Sequence, residues 1–314
     1  MTESADRKIP LRWWVGVPAM GLMVAFALVI VFKVVGGSSS AANADALTGP
    51  GDVSIGELSQ IRTSDFHSMA ISATEPAVIL YGYHNGILMS EDGGRTWHRT
   101  TLSGQGDDAM GIGISIADPN SAFAVGHGTF FESADGGKTW TRTQARLPSS
   151  DIHGLAIAPD GRQMYVHLPG FGVYRSDDAG QNWRRMASVP SDVMQLAAST
   201  GNVVYAASVQ GGIFRSNDGG ATFRPTAPLS GPILSVATYA FDGNLVYAGT
   251  QSGLFSSDDG GTTWTRRTLP ANGPIPVVTV NPDDAHDIIA VTVSSDGVGH
   301  VFRSRDGAAT WKRS

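Results

Sequence analysis

Four short segments carry the side chains best suited to chemistry. Asp65-Phe66-His67, Asp108-Ala109-Met110, Asp151-Ile152-His153 and Asp192-Val193-Met194 each set an aspartate two residues ahead of a histidine or a methionine. His84, His127 and His167 follow the first three of them along the chain. Neutral imidazole with thioether is a donor set that suits copper, above all Cu(I). His67, Met110, His153 and Met194, with His84, His127 and His167 beside them, therefore form a candidate metal or ligand site with copper as its first cofactor. The aspartates would instead offer an oxygen ring to calcium or magnesium. Asp65, Asp108 and Asp151 also admit a hydrolytic reading. Two carboxyls about 6.5–9.5 Å apart suit an inverting glycosidase, provided one of them is held protonated. Against all three stands plain packing, with aspartates satisfying N–H groups at strand starts and His and Met filling a narrow interior.

These segments are spaced by a repeat. Ser-x-Asp-x-Gly-x-Thr-Trp begins at Ser90, Ser133, Ser176, Ser216, Ser257 and Ser304, at intervals of 43, 43, 40, 41 and 47 residues. Such a period suits one four-stranded propeller blade per repeat. Its aspartates are Asp92, Asp135, Asp178, Asp218, Asp259 and Asp306, and its closing aromatics are Trp97, Trp140, Trp183, Phe223, Trp264 and Trp311. Asn182 replaces Thr in the third copy and Ala308 replaces Gly in the sixth. A hairpin turn needs these residue types without any ligand: glycine for positive φ, a carboxylate for turn N–H groups, an aromatic to wedge between sheets. The expected fold is thus all-β, a six-bladed β-propeller over residues 61–314. In its third blade Gly154–Ile157, Met164–His167, Val173–Arg175 and Trp183–Met186 read as successive strands, and Trp311-Lys312-Arg313 would finish the last blade.

The repeat is identified as the Asp-box, or BNR repeat, which resembles that of sialidases, sortilin-type receptors and photosystem assembly factors over residues 61–314. The resemblance implies that the boxes lie on one face and that function lies on the other. There the starts of the innermost strands and the loops after the second strands open beside the axial channel. All seven candidate ligands fall on that channel-mouth face. A sialidase would need an arginine cluster, a Tyr–Glu pair and an acid Asp. Beyond the apolar N-terminal run the glutamates are only Glu57, Glu75, Glu91 and Glu132, and Ile61-Arg62-Thr63-Ser64 is not the Phe-Arg-Ile-Pro motif. The segments DFHSMAI and DIHGLAI resemble exported bacterial propellers labelled glycosyl hydrolases by fold alone. Photosystem assembly propellers instead act as scaffolds for protein partners; they typically carry a basic patch and seven blades, where this chain has six boxes and a net charge of −6.

The N-terminal fifty residues supply an address. Trp13–Phe32 is uncharged for twenty residues, long enough at about 1.5 Å per residue to span a hydrocarbon core of roughly 30 Å. Arg7, Lys8 and Arg12 precede it and Lys33 follows, so residues 1–12 should be cytoplasmic, 13–35 a transmembrane anchor, and 36–60 a flexible linker to an extracytoplasmic propeller. The rival reading is a signal peptide cleaved at Ala42-Asn43-Ala44 or Ala44-Asp45-Ala46. No Lys/Arg-rich run follows residue 33, which argues against nucleic acid as a partner. The chain has no cysteine, which excludes disulfides, thiol nucleophiles and thiolate metal sites.

Overall fold

The computed structural model describes residues 56–102 and 106–311. The segments 1–12 and 13–35, and the linker up to residue 55, lie outside the described residues. Among the described residues no helix is long and apolar enough to cross a membrane.

Six four-stranded antiparallel sheets form a ring. Blade three is typical, with Met164–Leu168 pairing on one side with His153–Ile157 and on the other with Gly172–Ser176, which in turn carries Arg184–Arg185 outermost. The inner strand of each blade packs on that of the next, and Ser68–Ile71 of blade one meets Val277–Asn281 of blade six. The apolar core is correspondingly divided among the seams. One cluster joins Tyr81 and Trp97 of blade one to Val277 and Ile289 of blade six. Another joins Phe123 and Phe130 of blade two to Met164 and Trp183 of blade three. Each large side chain buried in this way contributes about 1.5–3 kcal/mol, so the seams between blades carry much of the folding free energy.

The box geometry shows why Ser, Asp and Thr recur. Ser90 Oγ donates to Asp92 Oδ1 at 2.8 Å and accepts from the Gly94 amide at 2.8 Å. Asp92 then accepts from the Thr96 amide at 2.9 Å and the Thr96 hydroxyl at 2.6 Å. In the third box the Asn182 side-chain amide takes the place of that hydroxyl, 2.7 Å from Asp178. Both oxygens of the Asp92 carboxylate are thus engaged within the turn.

The ring is closed by its two ends. Glu57–Ile61 is the outer strand of blade six, antiparallel to Gly299–Ser304. The propeller therefore begins at residue 57 and not 61, and residues 57–60 are strand, not linker. This N-terminal strand holds the outermost position of blade six, where Trp311-Lys312-Arg313 was expected; residues 312 and 313 lie outside the described residues. Its hold is specific: Ser59 Oγ donates to the Gly94 carbonyl at 2.5 Å and accepts from Trp97 Nε1 at 3.0 Å, while Glu57 pairs with His300 at 2.7 Å. A polar link across the same seam comes from Arg303, which pairs with Asp287 at 2.6 Å in blade six and reaches the Pro76 carbonyl of blade one at 3.1 Å.

Candidate functional site

The channel-mouth face of blades one to three gathers four histidines and three aspartates into one chain of contacts. His67 ends the loop into the inner strand Ser68–Ile71 and is 6% exposed. Its Nε2 lies 2.9 Å from His84 Nδ1 and 3.2 Å from Asp65 Oδ1. His84 occupies the hairpin after the second strand Ile79–Tyr83, where its amide donates to Asp65 at 2.9 Å and its Nδ1 makes a very short contact with the same carboxylate. One blade on, His127 repeats the arrangement: its amide donates to Asp108 Oδ2 at 2.7 Å and its Nδ1 lies 2.6 Å from that oxygen. The rings of His84 and His127 are stacked, 5.6 Å apart and 3° from parallel. His127 Nε2 then meets His153 Nε2 at 3.1 Å and Asp151 Oδ1 at 3.6 Å, and His153 Nε2 is itself 3.1 Å from Asp151 Oδ1. His153, 2% exposed, stands at the head of its inner strand, followed by a bulge at Gly154 (φ +68°). A Cβ there would come within 3.1 Å of the Leu196 amide of the next blade, so glycine lets the two inner strands approach.

In each of three sets, Asp65/His67/His84, His84/Asp108/His127 and His127/Asp151/His153, the donor atoms lie within 4.8 Å of one another. The electrostatics follow from this pairing. Burial alone would raise the Asp65 carboxyl, but the charges and hydrogen bonds of His67 and His84 outweigh it and hold it well below the ordinary range. Asp108 is held down, against burial, by the His127 side chain and amide. Asp151 is held down first by the His153 side chain in close contact with it. His127 is raised chiefly by its hydrogen bond to Asp108, and His84 is raised by Asp65 in spite of burial.

The profile of the family described as photosynthesis system II assembly factor YCF48 matches residues 57–191 and again 108–229, together more than half of the chain. The chain belongs to the YCF48 family of BNR propellers. No curated protein sequence matches it. Among solved structures it is similar to YCF48 from Cyanidioschyzon merolae, 18% identical with a TM-score of 0.51, over 79% of this chain and 84% of that one. It is likewise similar to the GH74 xyloglucanase of Xanthomonas campestris, 16% identical with a TM-score of 0.55, and to the GH74 enzyme of Niastella koreensis, 16% identical with a TM-score of 0.54. It covers 78% and 79% of its own length in those comparisons but spans only 45% and 46% of the two enzymes. At these identities the likeness is one of fold.

In this YCF48-family chain the sequence-derived ligands are not all gathered together. His67, His84, His127 and His153 join, and they do so through Asp65, Asp108 and Asp151, so the oxygen and nitrogen sets are one cluster and not rivals. His167 is a correction. It is not in the hairpin with His84 and His127 but inside the second strand Met164–Leu168, opposite His153 and fully buried. The hairpin of blade three, Pro169–Phe171, follows it two positions later than the His84 alignment requires. Neither ring nitrogen of His167 has a hydrogen-bond partner, and burial pushes its pKa down to about 4. Met110 is buried and Met194 half-buried at the His67-equivalent positions of blades two and four. Asp65, Asp108 and Asp151 are all held below the ordinary carboxylate range, whereas an inverting pair needs one carboxyl held up.

Two features escaped the sequence reading. Gln195 of blade four donates to the His67 carbonyl of blade one at 2.6 Å, closing a narrow axial cavity of about 150 Å³. Its signal was a long amide where blades one, two, three and five have Ser68, Gly111, Gly154 and Ser235. The second is a rim of arginines two residues after the box aromatics: Arg99, Arg142, Arg185 and Arg266 are all exposed. Arg142, Arg185 and Arg266 hold the channel-mouth carbonyls of Gly128, Phe171 and Ser252 at 2.6, 2.9 and 3.1 Å.

Proposed function

We propose that this chain is a membrane-tethered assembly propeller that holds an acidic segment of a protein partner on its channel-mouth face. The observation that carries the reading is the arginine rim, a basic edge that net charge had hidden. Each of the three guanidiniums spends a bond on a loop carbonyl and is thereby fixed at the edge of that face, where a planar fork recognises carboxylates. Beside Arg142 a groove of about 630 Å³ runs between blades two and three, lined among others by Phe130, Gln144, Leu147 and Ile152. The neighbouring hairpin exposes Phe171, 42% accessible. A groove with apolar floor and cationic edge suits an extended polypeptide with alternating apolar and acidic side chains. Membership of a family described as an assembly factor supports the reading. The apolar run Trp13–Phe32 supports a tether that sets the propeller outside the cytoplasm, close to membrane-protein partners.

The test is site-specific photo-crosslinking in cells from Gln144 and Phe171 on the channel-mouth face and from Thr262 on the box face. A discrete protein adduct from the first two positions, lost when Arg142→Glu and Arg185→Glu are combined, supports the reading. An adduct from Thr262 alone, or one indifferent to charge reversal, rejects it.

A further inference from the structure

We propose that His127, His153 and Asp151 form a three-ligand site for a divalent transition-metal ion of the zinc class, with Asp108 orienting His127. The inference is independent of the assembly reading. His127 Nε2, His153 Nε2 and Asp151 Oδ1 form a triangle with sides of 3.1, 3.1 and 3.6 Å. Metal bonds of about 2.0–2.1 Å in a tetrahedron require ligand–ligand edges of about 3.3 Å. The three atoms thus already stand where three corners of such a tetrahedron would lie.

The one hydrogen bond here, between His127 Nε2 and His153 Nε2, leaves the third atom out. Asp151 Oδ1 is buried, faces two ring nitrogens and has no hydrogen bond. The Nδ1 of His153, in a ring 2% exposed, is also without a partner. Two imidazole nitrogens 3.1 Å apart present their lone pairs to one another unless a proton or a cation lies between them. A cation bound to all three atoms would satisfy both nitrogens and the oxygen together.

The surroundings have the arrangement of a metal site one layer out. His127 Nδ1 is held by Asp108 at 2.6 Å, which fixes its Nε2 as the outward nitrogen. A carboxylate on the far nitrogen of a ligating histidine sets ring orientation and raises basicity. Asp108 is itself anchored by the His127 amide, so it belongs to the framework and not to solvent. His127 and Asp151 are 42% and 49% exposed, leaving the fourth corner open to water or to a side chain from outside. Two imidazoles and one carboxylate with an open corner suit Zn(II), Co(II) or Fe(II) and not the thioether-seeking Cu(I) of the sequence expectation. Asp65, His67 and His84 repeat the donor set. There, however, His84 turns its Nδ1 to Asp65, a member of the set itself, whereas His127 turns its Nδ1 to Asp108, outside the set. The ion is assigned to the outer set on that difference.

The test uses the full chain in detergent, stripped with chelator and titrated with Co(II) and Zn(II), beside Cu(I) and Ca(II). The expected result is one Co(II) per chain with tetrahedral visible absorption, displaced by Zn(II). His153→Gln and Asp151→Asn should weaken binding at least tenfold, Asp108→Asn about 10–100-fold, and His67→Gln should leave it unchanged. Thermal melts of the stripped variants separate lost folding from lost binding; where His153→Gln melts early, exposed Asp151→Asn decides. No Co(II) or Zn(II) binding, binding of Ca(II) or Cu(I) alone, or loss only in His67→Gln overturns the assignment.

Discussion

The Gln195 side-chain amide donates to the main-chain carbonyl of His67 at 2.6 Å, from blade four to blade one across the axis of the ring. These blades are opposite, so this is a cross-brace that no blade-to-blade seam supplies. Gln195→Ala leaves a buried carbonyl unpaired beneath the histidine cluster. The expected loss is about 1–3 kcal/mol, read by urea denaturation. A variant as stable as its parent would show that water takes over the amide's place and that the brace is dispensable.

Arg303 and Asp287, 5% and 2% exposed, give the ring an acid-sensitive seam. Burial would raise Asp287, but Arg303 and Asn281 outweigh it and leave the carboxyl below its ordinary value of 3.8. A depressed folded pKa means stability that is complete above pH 3.8 and lost as pH falls through the folded value. Asp287→Asn should therefore flatten the acid limb of a stability–pH curve. At neutral pH it should cost about 3–5 kcal/mol by leaving Arg303 buried without its counter-charge. An unchanged acid limb would place the sensitivity elsewhere.

Two boxes carry alanine where the backbone favours glycine. Ala179 has φ +54° and Ala308 has φ +64°, at turn positions that glycine fills in the other boxes. The left-handed conformation costs an L-residue about 1–2 kcal/mol, partly offset by the smaller unfolded-state entropy of alanine. Ala179→Gly should raise stability by about 0.5–1 kcal/mol. Ala308, 2% exposed and packed with Trp311, should gain less. Differential scanning calorimetry of the two single variants orders them, and a loss of stability in Ala179→Gly would refute the strain argument.

Ser59 serves two partners at the closing seam, Gly94 and Trp97. Ser59→Ala should cost about 1–3 kcal/mol through the orphaned indole N–H and carbonyl. Ser59→Thr tests whether the hydroxyl or the volume matters. Equal stability of Ser59→Ala and parent by chemical denaturation would dismiss the bond as incidental.

What could be read from the sequence was whatever is local in the chain. The box bonds join residues two and four apart, as from Ser90 to Asp92 and Asp92 to Thr96, so six copies announce six turns. His84 and His127 were legible because both stand six residues ahead of a box serine; His167 stands nine ahead, a difference that marks it as strand and not hairpin. The pairing of aspartates with histidines was not legible, because Asp151 meets His127 from the preceding blade. Nor was the partner of Glu57–Ile61, because Phe302 is separated from Glu57 by most of the chain.

That pairing fixes an order of events during synthesis. Glu57–Ile61 is the first propeller strand a ribosome delivers, and Gly299–Ser304 nearly the last. Five blades can form while the nascent chain is still growing, yet the earliest strand waits throughout as a bare edge, a template for wrong neighbours. A chain arrested anywhere before blade six can stack sheets but cannot become a ring. A permuted chain opened in a loop between two blades would deliver Glu57–Ile61 soon after its partner strand.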